Sequence, residues 1–132
     1  MPVAVTGLYA SLLMIIAFVL VVRVGARRGK VGVSIGDGGD KTLFLENRRH
    51  LNFLEHVPMA LLLLAIIELN GAPKLWIHWL GGALVIARIC HPIGLHADNA
   101  RHPMRGIGAG ITMLVTLIAI GIALWQGIRA LS

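Results

Sequence analysis

The second of four apolar stretches in this chain, Phe53–Leu69, is too short to cross a bilayer unless the polar run before it joins the same helix. A spanning helix needs about 20 residues. The polar end Arg48–Glu55 must therefore lie on that helix. The third stretch, Leu75–Ile89, has the same shortage and must draw in Arg88–Leu95, whereas Val3–Val22 and Met104–Ile128 are long enough alone. Spanning is required because the 132 residues are 57% hydrophobic, more apolar surface than a soluble domain of that size can hide. The expectation is an all-α integral membrane protein, a single four-transmembrane-helix bundle over residues 1–132.

Charge sets the topology. Arg23, Arg27, Arg28, Lys30, Lys41, Arg48 and Arg49 fall in or beside the first connection, and Arg88, Arg101 and Arg105 gather around the third. The turn between them holds only Lys74. The positive-inside rule places the first and third connections in the cytoplasm and both termini outside. The pI near 10.8 has the same origin, and no nucleic-acid partner is implied. With no basic region ahead of it, Val3–Val22 reads as a retained helix and not as a signal peptide. The lone Cys90 excludes an intrachain disulfide.

Residues 29–40 are rich in Gly and Asp and read as a flexible loop without a phosphate-binding motif. Asn70-Gly71-Ala72-Pro73 predicts a tight turn. Pro92 predicts a kink or an end to the third helix, and Pro103 opens the fourth. Gly81, Gly82, Gly106, Gly108 and Gly110 are expected to let helices approach closely. So small a bundle has little interior, which points to an oligomer.

Arg48, Asn52 and Glu55 stand at i, i+4 and i+7 and share one helix face. Arg23, Lys30, Arg49 and Arg129 are read as snorkelling to headgroups. Arg48, Arg88 and Arg105 sit within or at the mouth of spanning helices and need partners. Glu55 is expected to be the one acidic residue well inside the cytoplasmic half of a helix, and a Glu55–Arg88 pair is the simplest structural use of it. The surplus of arginines over carboxylates favours an anionic ligand, since guanidinium binds carboxylate in a fork and keeps its charge. Asn52 and Glu55 add acceptors for an amine or amide. A peptide-like molecule with two carboxylates suits this set. His91, three residues after Arg88 on the same face, joins it as a ligand contact. The spacings His50/His56 and His91/His96 do not suit a helical zinc site, so no metal is expected.

Arg48-x-His50-x-Asn52-x-x-Glu55-x-x-Pro58 resembles the signature of the MAPEG family, the membrane-associated proteins in eicosanoid and glutathione metabolism. Ala26-Arg27-Arg28 resembles the basic end of the family's first helix, Arg88-x-x-His91 its third-helix arginine, and Arg101-x-Pro103-x-Arg105 the start of its fourth. The similarity covers essentially the whole chain. The resemblance implies a homotrimer with glutathione bound between subunits near the cytoplasmic face. By position, Arg27, Arg48, Asn52, Glu55 and Arg88 would hold the tripeptide, with Arg101 in the basic start of the fourth helix. Arg105 matches the arginine that faces the glutathione sulfur and would be the catalytic residue. The implied activity is a glutathione transferase or peroxidase acting on lipophilic electrophiles or lipid hydroperoxides, and the short loops resemble bacterial members of an inner membrane. One departure matters: the eicosanoid-synthesising members carry tyrosines near the end of helix three, where this chain has His91 and Leu95. The departure favours the general transferase or peroxidase branch over the eicosanoid reactions. Two other functions fit the residues less fully: a non-catalytic lipid- or glutathione-binding protein, and a small carrier with Glu55 as proton relay.

Overall fold

The structure, a computed structural model, describes residues 2–96, 99 and 101–132. Four helices run up, down, up and down: α1 (Ala4–Val31), α2 (Lys41–Leu69), α3 (Lys74–Gly94) and α4 (Pro103–Leu131). Arg48, Asn52 and Glu55 all lie inside α2, as spanning demands. Helices α1, α2 and α4 are each long and apolar enough to cross a membrane. The 21 residues of α3 are more dilute because they include His78, Arg88 and His91. At about 1.5 Å per residue they still reach about 32 Å, against a hydrocarbon core of about 30 Å.

The helices exceed their apolar stretches. α1 continues past Val22 through Arg23, Arg27 and Arg28, because arginine is a good helix former and its charge can lie at the headgroups. It stops at Gly32, whose φ of 68° is left-handed. There the Gly32 and Val33 amides both return to the Arg28 carbonyl. The Arg28 guanidinium then donates to the carbonyls of Val33, Ser34 and Gly36. The expected loop therefore starts later than residue 29, and Arg28 holds it. Pro92 does not break α3, which runs on to Gly94. In the last turn proline forfeits little more than the bond to the Arg88 carbonyl.

α1 packs on α2 and α3, α4 packs on α3 and α2, and α1 and α4 stand at opposite corners. Leu13, Phe53, Val57, Leu64, Leu84 and Val115 fill the centre. Two of the expected small residues set helix separations. A Cβ on Gly81 would lie 2.3 Å from the Tyr9 ring, and one on Gly108 would lie 2.7 Å from the Ala87 carbonyl oxygen. Gly106 and Gly110 have nothing within 4 Å and pack no helix. A third close approach, unforeseen, is at Gly94 against the backbone of Arg105.

The exterior is apolar: Met14, Phe18, Trp79, Met113 and Leu124 all point outward. The two ends differ. Trp76, Trp79 and Trp125 lie exposed at one end, a pattern of membrane-interface belts. The arginines of α1, α2 and the α3–α4 connection collect at the other.

Carboxylates fasten both ends. At the tryptophan end α1 has no capping side chain of its own, and buried Glu68 of α2 supplies one. Its oxygens accept the Val5 and Thr6 amides at 3.0 and 2.7 Å. Removing such a cap costs about 1–2 kcal/mol, so Glu68→Ala should lower unfolding stability in detergent by about that amount, while an exposed control at the far end such as Lys30→Ala should not.

At the basic end Asp40 caps α2 through the Leu43 amide at 2.7 Å and grips Arg27 of α1 with both oxygens, at 3.0 and 2.6 Å. Arg27, and secondarily the Leu43 amide, lower the Asp40 carboxyl to about 2. A carboxyl lowered on folding stabilises above its unfolded value, about 4. That stability is lost as pH falls through about 2. Thermal unfolding of the Asp40→Asn protein should lack this component between about pH 4 and pH 2, and equal acid sensitivity in both proteins would contradict the assignment.

Candidate functional site

The centre of the basic half is Arg88. It is 2% exposed and rises from α3 between α2 and α4. One guanidinium nitrogen donates to Asn52 Oδ1 at 3.2 Å; the other donates to the Gly108 carbonyl at 3.4 Å and to the Thr112 hydroxyl. Thr112 in turn donates to the Gly108 carbonyl at 2.8 Å. Gly108 makes this possible, because only a residue without a side chain lets α4 come so close to Ala87 and His91. The Arg88 Nε is buried with no hydrogen-bond partner.

No carboxylate faces this cation among the described residues. Glu55, expected to pair with it, instead lies half exposed 3.9 Å from Arg48. The reason is angular: the face of α2 toward Arg88 carries Asn52, and Glu55 turns outward. Glu46 and Asp40 are held by other arginines, Glu68 caps α1, and Asp37 accepts the Gly39 amide. A buried charge left without a counter-ion costs several kcal/mol. Neutral dipoles of an amide, a hydroxyl and a carbonyl reduce that cost without cancelling the charge.

Two adjoining cavities meet at this residue set. One, of about 230 Å³, opens at the basic end and is lined by Arg48, Asn52, His91 and Arg105, with Leu95 and His96 at its rim. The other, of about 210 Å³, is lined by Asn52, His56, Arg88, His91 and Thr112, and then by Met113 and Leu117. Asn52 and His91 belong to both. Thr112 to Leu117 lie seven to twelve positions beyond Arg105 on α4, about 10 to 18 Å deeper at 1.5 Å per residue. The arrangement is a polar vestibule beside a second hollow whose lining turns apolar along α4, toward the outward-facing Met113 and Leu117.

Arg48, Asn52, Arg88, His91 and Arg105 are thus brought together. Arg27 is not: it lines a separate hollow with Arg23 and Glu46 and is engaged by Asp40. Arg101 is exposed, its amide bonded to Asn99 Oδ1 at 3.1 Å. Sequence reasoning missed Thr112 and His56. Thr112 was findable, since a hydroxyl inside an apolar helix one face away from an intramembrane arginine is a natural partner. Arg23 and Arg49 also prove to be more than snorkelling cations, because both bind buried Glu46. Glu46 is therefore a second acid within the basic half, alongside Glu55.

A family model described as the MAPEG family matches residues 6–125. Two relatives, each named "Inner membrane protein YecN", come from Escherichia coli strain K12 and Escherichia coli O6:H1 strain CFT073. Each is 31% identical over 121 residues, covering 92% of this chain and 91% of the relative. No solved structure matches significantly.

Because Gly108 is the point of closest approach over Arg88, Gly108→Ala should force α4 outward from Ala87 and His91. The expected result is a destabilised bundle, by about 1–3 kcal/mol as for overpacking elsewhere, and weakened anion binding. Gly110→Ala, with open space around it, is expected to leave both unchanged in unfolding and calorimetric titrations.

Proposed function

The chain belongs to the MAPEG family, membrane proteins that use glutathione, and from that premise we propose that it is a glutathione transferase or peroxidase of the membrane. The observation that carries this reading is the convergence of Arg48, Asn52, His91 and Arg105 on one vestibule that adjoins the uncompensated Arg88. Glutathione offers two carboxylates, an ammonium and two amides. Arg48 and Arg88 supply positive charge for the carboxylates, and Glu55 is an acceptor for the ammonium. With Oδ1 committed to Arg88, Asn52 keeps its amide nitrogen as a donor for the peptide.

The protein acts as a homotrimer, with the basic end cytoplasmic and both termini outside, so that soluble glutathione reaches the vestibule. Arg27 and Arg101 stand apart from the vestibule in one subunit and contribute across the subunit boundary. The name of the Escherichia coli relatives supports a bacterial inner membrane as the location.

The chemistry begins with the thiol. A free thiol has a pKa of about 8.5, and a neighbouring cation favours the thiolate. A lowering of two units corresponds to about 2.7 kcal/mol of preferential thiolate stabilisation. Arg105, fixed at the start of α4, supplies that charge, and the thiol proton leaves to solvent. The thiolate then attacks an electrophilic carbon of a lipophile, forming the S–C bond as the leaving group departs. With a lipid hydroperoxide it attacks the terminal oxygen, the O–O bond breaks and the departing alkoxide takes a proton from solvent to leave as the alcohol; a second glutathione then reduces the sulfenic acid, yielding disulfide and water. Met113 and Leu117 offer the apolar wall such a lipophile needs.

Titration of the purified protein with glutathione near neutral pH should produce ultraviolet thiolate absorbance. In Arg105→Ala the bound thiol's pKa should rise by about two units, which at pH 7 lowers that absorbance by about 25-fold, while calorimetric binding persists. Binding to the wild-type protein without any thiolate signal would contradict catalysis and point to a non-catalytic binding protein.

A further inference from the structure

Glu46 is a buried acid in the basic half that the proposed chemistry does not use. It is 5% exposed and is the sixth residue of α2, within its first two turns. Arg23 of α1 grips it with two bonds of 3.0 and 2.7 Å, and Arg49 donates to it at 2.8 Å. Arg49, with a side chain only 12% exposed, uses its other terminal nitrogen to donate to the Leu95 carbonyl at 2.8 Å. Leu95 is the first residue after α3, and it lines the vestibule beside Arg48 and Arg105. One residue earlier, Gly94 lies against α4 so closely that a Cβ would be 2.1 Å from the Arg105 backbone nitrogen.

An unbroken series of contacts therefore joins Glu46 to the backbone that carries Arg105. Charge explains why Glu46 is needed in it. Arg23 and Arg49 converge on one carboxylate; without that anion two cations would face each other in a half-buried space, and Arg49 would turn to water and leave Leu95. We infer that Glu46 is a positioning residue: through Arg49 it pins the end of α3 and so fixes Arg105 over the vestibule. The positional claim stands on geometry alone, and only its consequence for a bound thiol rests on the glutathione reading.

Hydrogen exchange of the full chain in detergent tests the position. The Leu95, Arg105 and Gly106 amides are each bonded within the chain. In Glu46→Gln and in Arg49→Gln these amides should exchange about tenfold faster or more, as local opening becomes easier. Arg23→Gln should leave them within about twofold, because Arg23 holds Glu46 without touching Leu95. Should Glu46→Gln fail to fold, Arg49→Gln provides the same comparison. A second reading follows the bound thiol at saturating glutathione: its pKa should rise by about one unit in Glu46→Gln, which at pH 7 lowers the thiolate absorbance about threefold, and recover in part in Glu46→Asp. Unchanged exchange in both Glu46→Gln and Arg49→Gln would overturn the inference, as would equal acceleration in Arg23→Gln. If the wild-type protein gives no thiolate signal, the glutathione reading fails, while the exchange pattern still decides the role of Glu46.

Discussion

A guanidinium enclosed by three apolar helices, with no carboxylate beside it among the described residues, is the condition around which this bundle is built. Arg88 of α3 sits where α2, α3 and α4 meet, and its two neighbours supply its partners: Asn52 of α2 an amide oxygen, Gly108 and Thr112 of α4 a carbonyl and a hydroxyl. These dipoles make its burial tolerable and leave its charge in place. The closeness of α4 to α3 follows from the same need, since the Gly108 carbonyl reaches Arg88 only where no side chain intervenes. A cation that no described carboxylate faces, lining the hollow next to an open vestibule, is an electrostatic invitation to an anion.

The few acids reinforce that asymmetry. Asp40 joins α1 to the start of α2, Glu46 gathers Arg23 and Arg49, and Glu68 caps α1 at the far end. Each is committed to holding helix ends together. Among the other described acids, Asp37 accepts the Gly39 amide within the loop, and Glu55 is half exposed on α2 and only loosely paired with Arg48. The fold thus uses its carboxylates as fasteners and leaves positive charge at the site. The apolar exterior, meanwhile, faces lipid.

Four helices were legible because the membrane restricts the alternatives: apolar runs of bilayer length become helices, and short runs must absorb their polar ends. That reasoning placed Arg48, Asn52 and Arg88 inside helices before any geometry was known. Angular detail was less legible. Glu55 was expected to meet Arg88, but three residues of helix rotate it away from Asn52, and rotation about a helix axis depends on packing that apolar patterning barely encodes. Thr112 and Glu68 were hidden for another reason, since single polar residues inside hydrophobic runs look like noise until their partners arrive from distant helices. Of the small residues, Gly108 and Gly81 separate helices while Gly106 and Gly110 do not, because a stripe of glycines shows where approach is allowed and not where it occurs.

The central claim is that Arg88 and its neighbours await the carboxylates of a thiol peptide. Thermal unfolding in detergent with and without glutathione measures this most directly, because a ligand at about 100 times its dissociation constant stabilises by about 2.7 kcal/mol. The account predicts a clear upward shift with glutathione, a much smaller one with its diethyl ester, which lacks both carboxylates, and none in Arg88→Met. An unfolding temperature indifferent to glutathione, or raised equally by the ester, would contradict it.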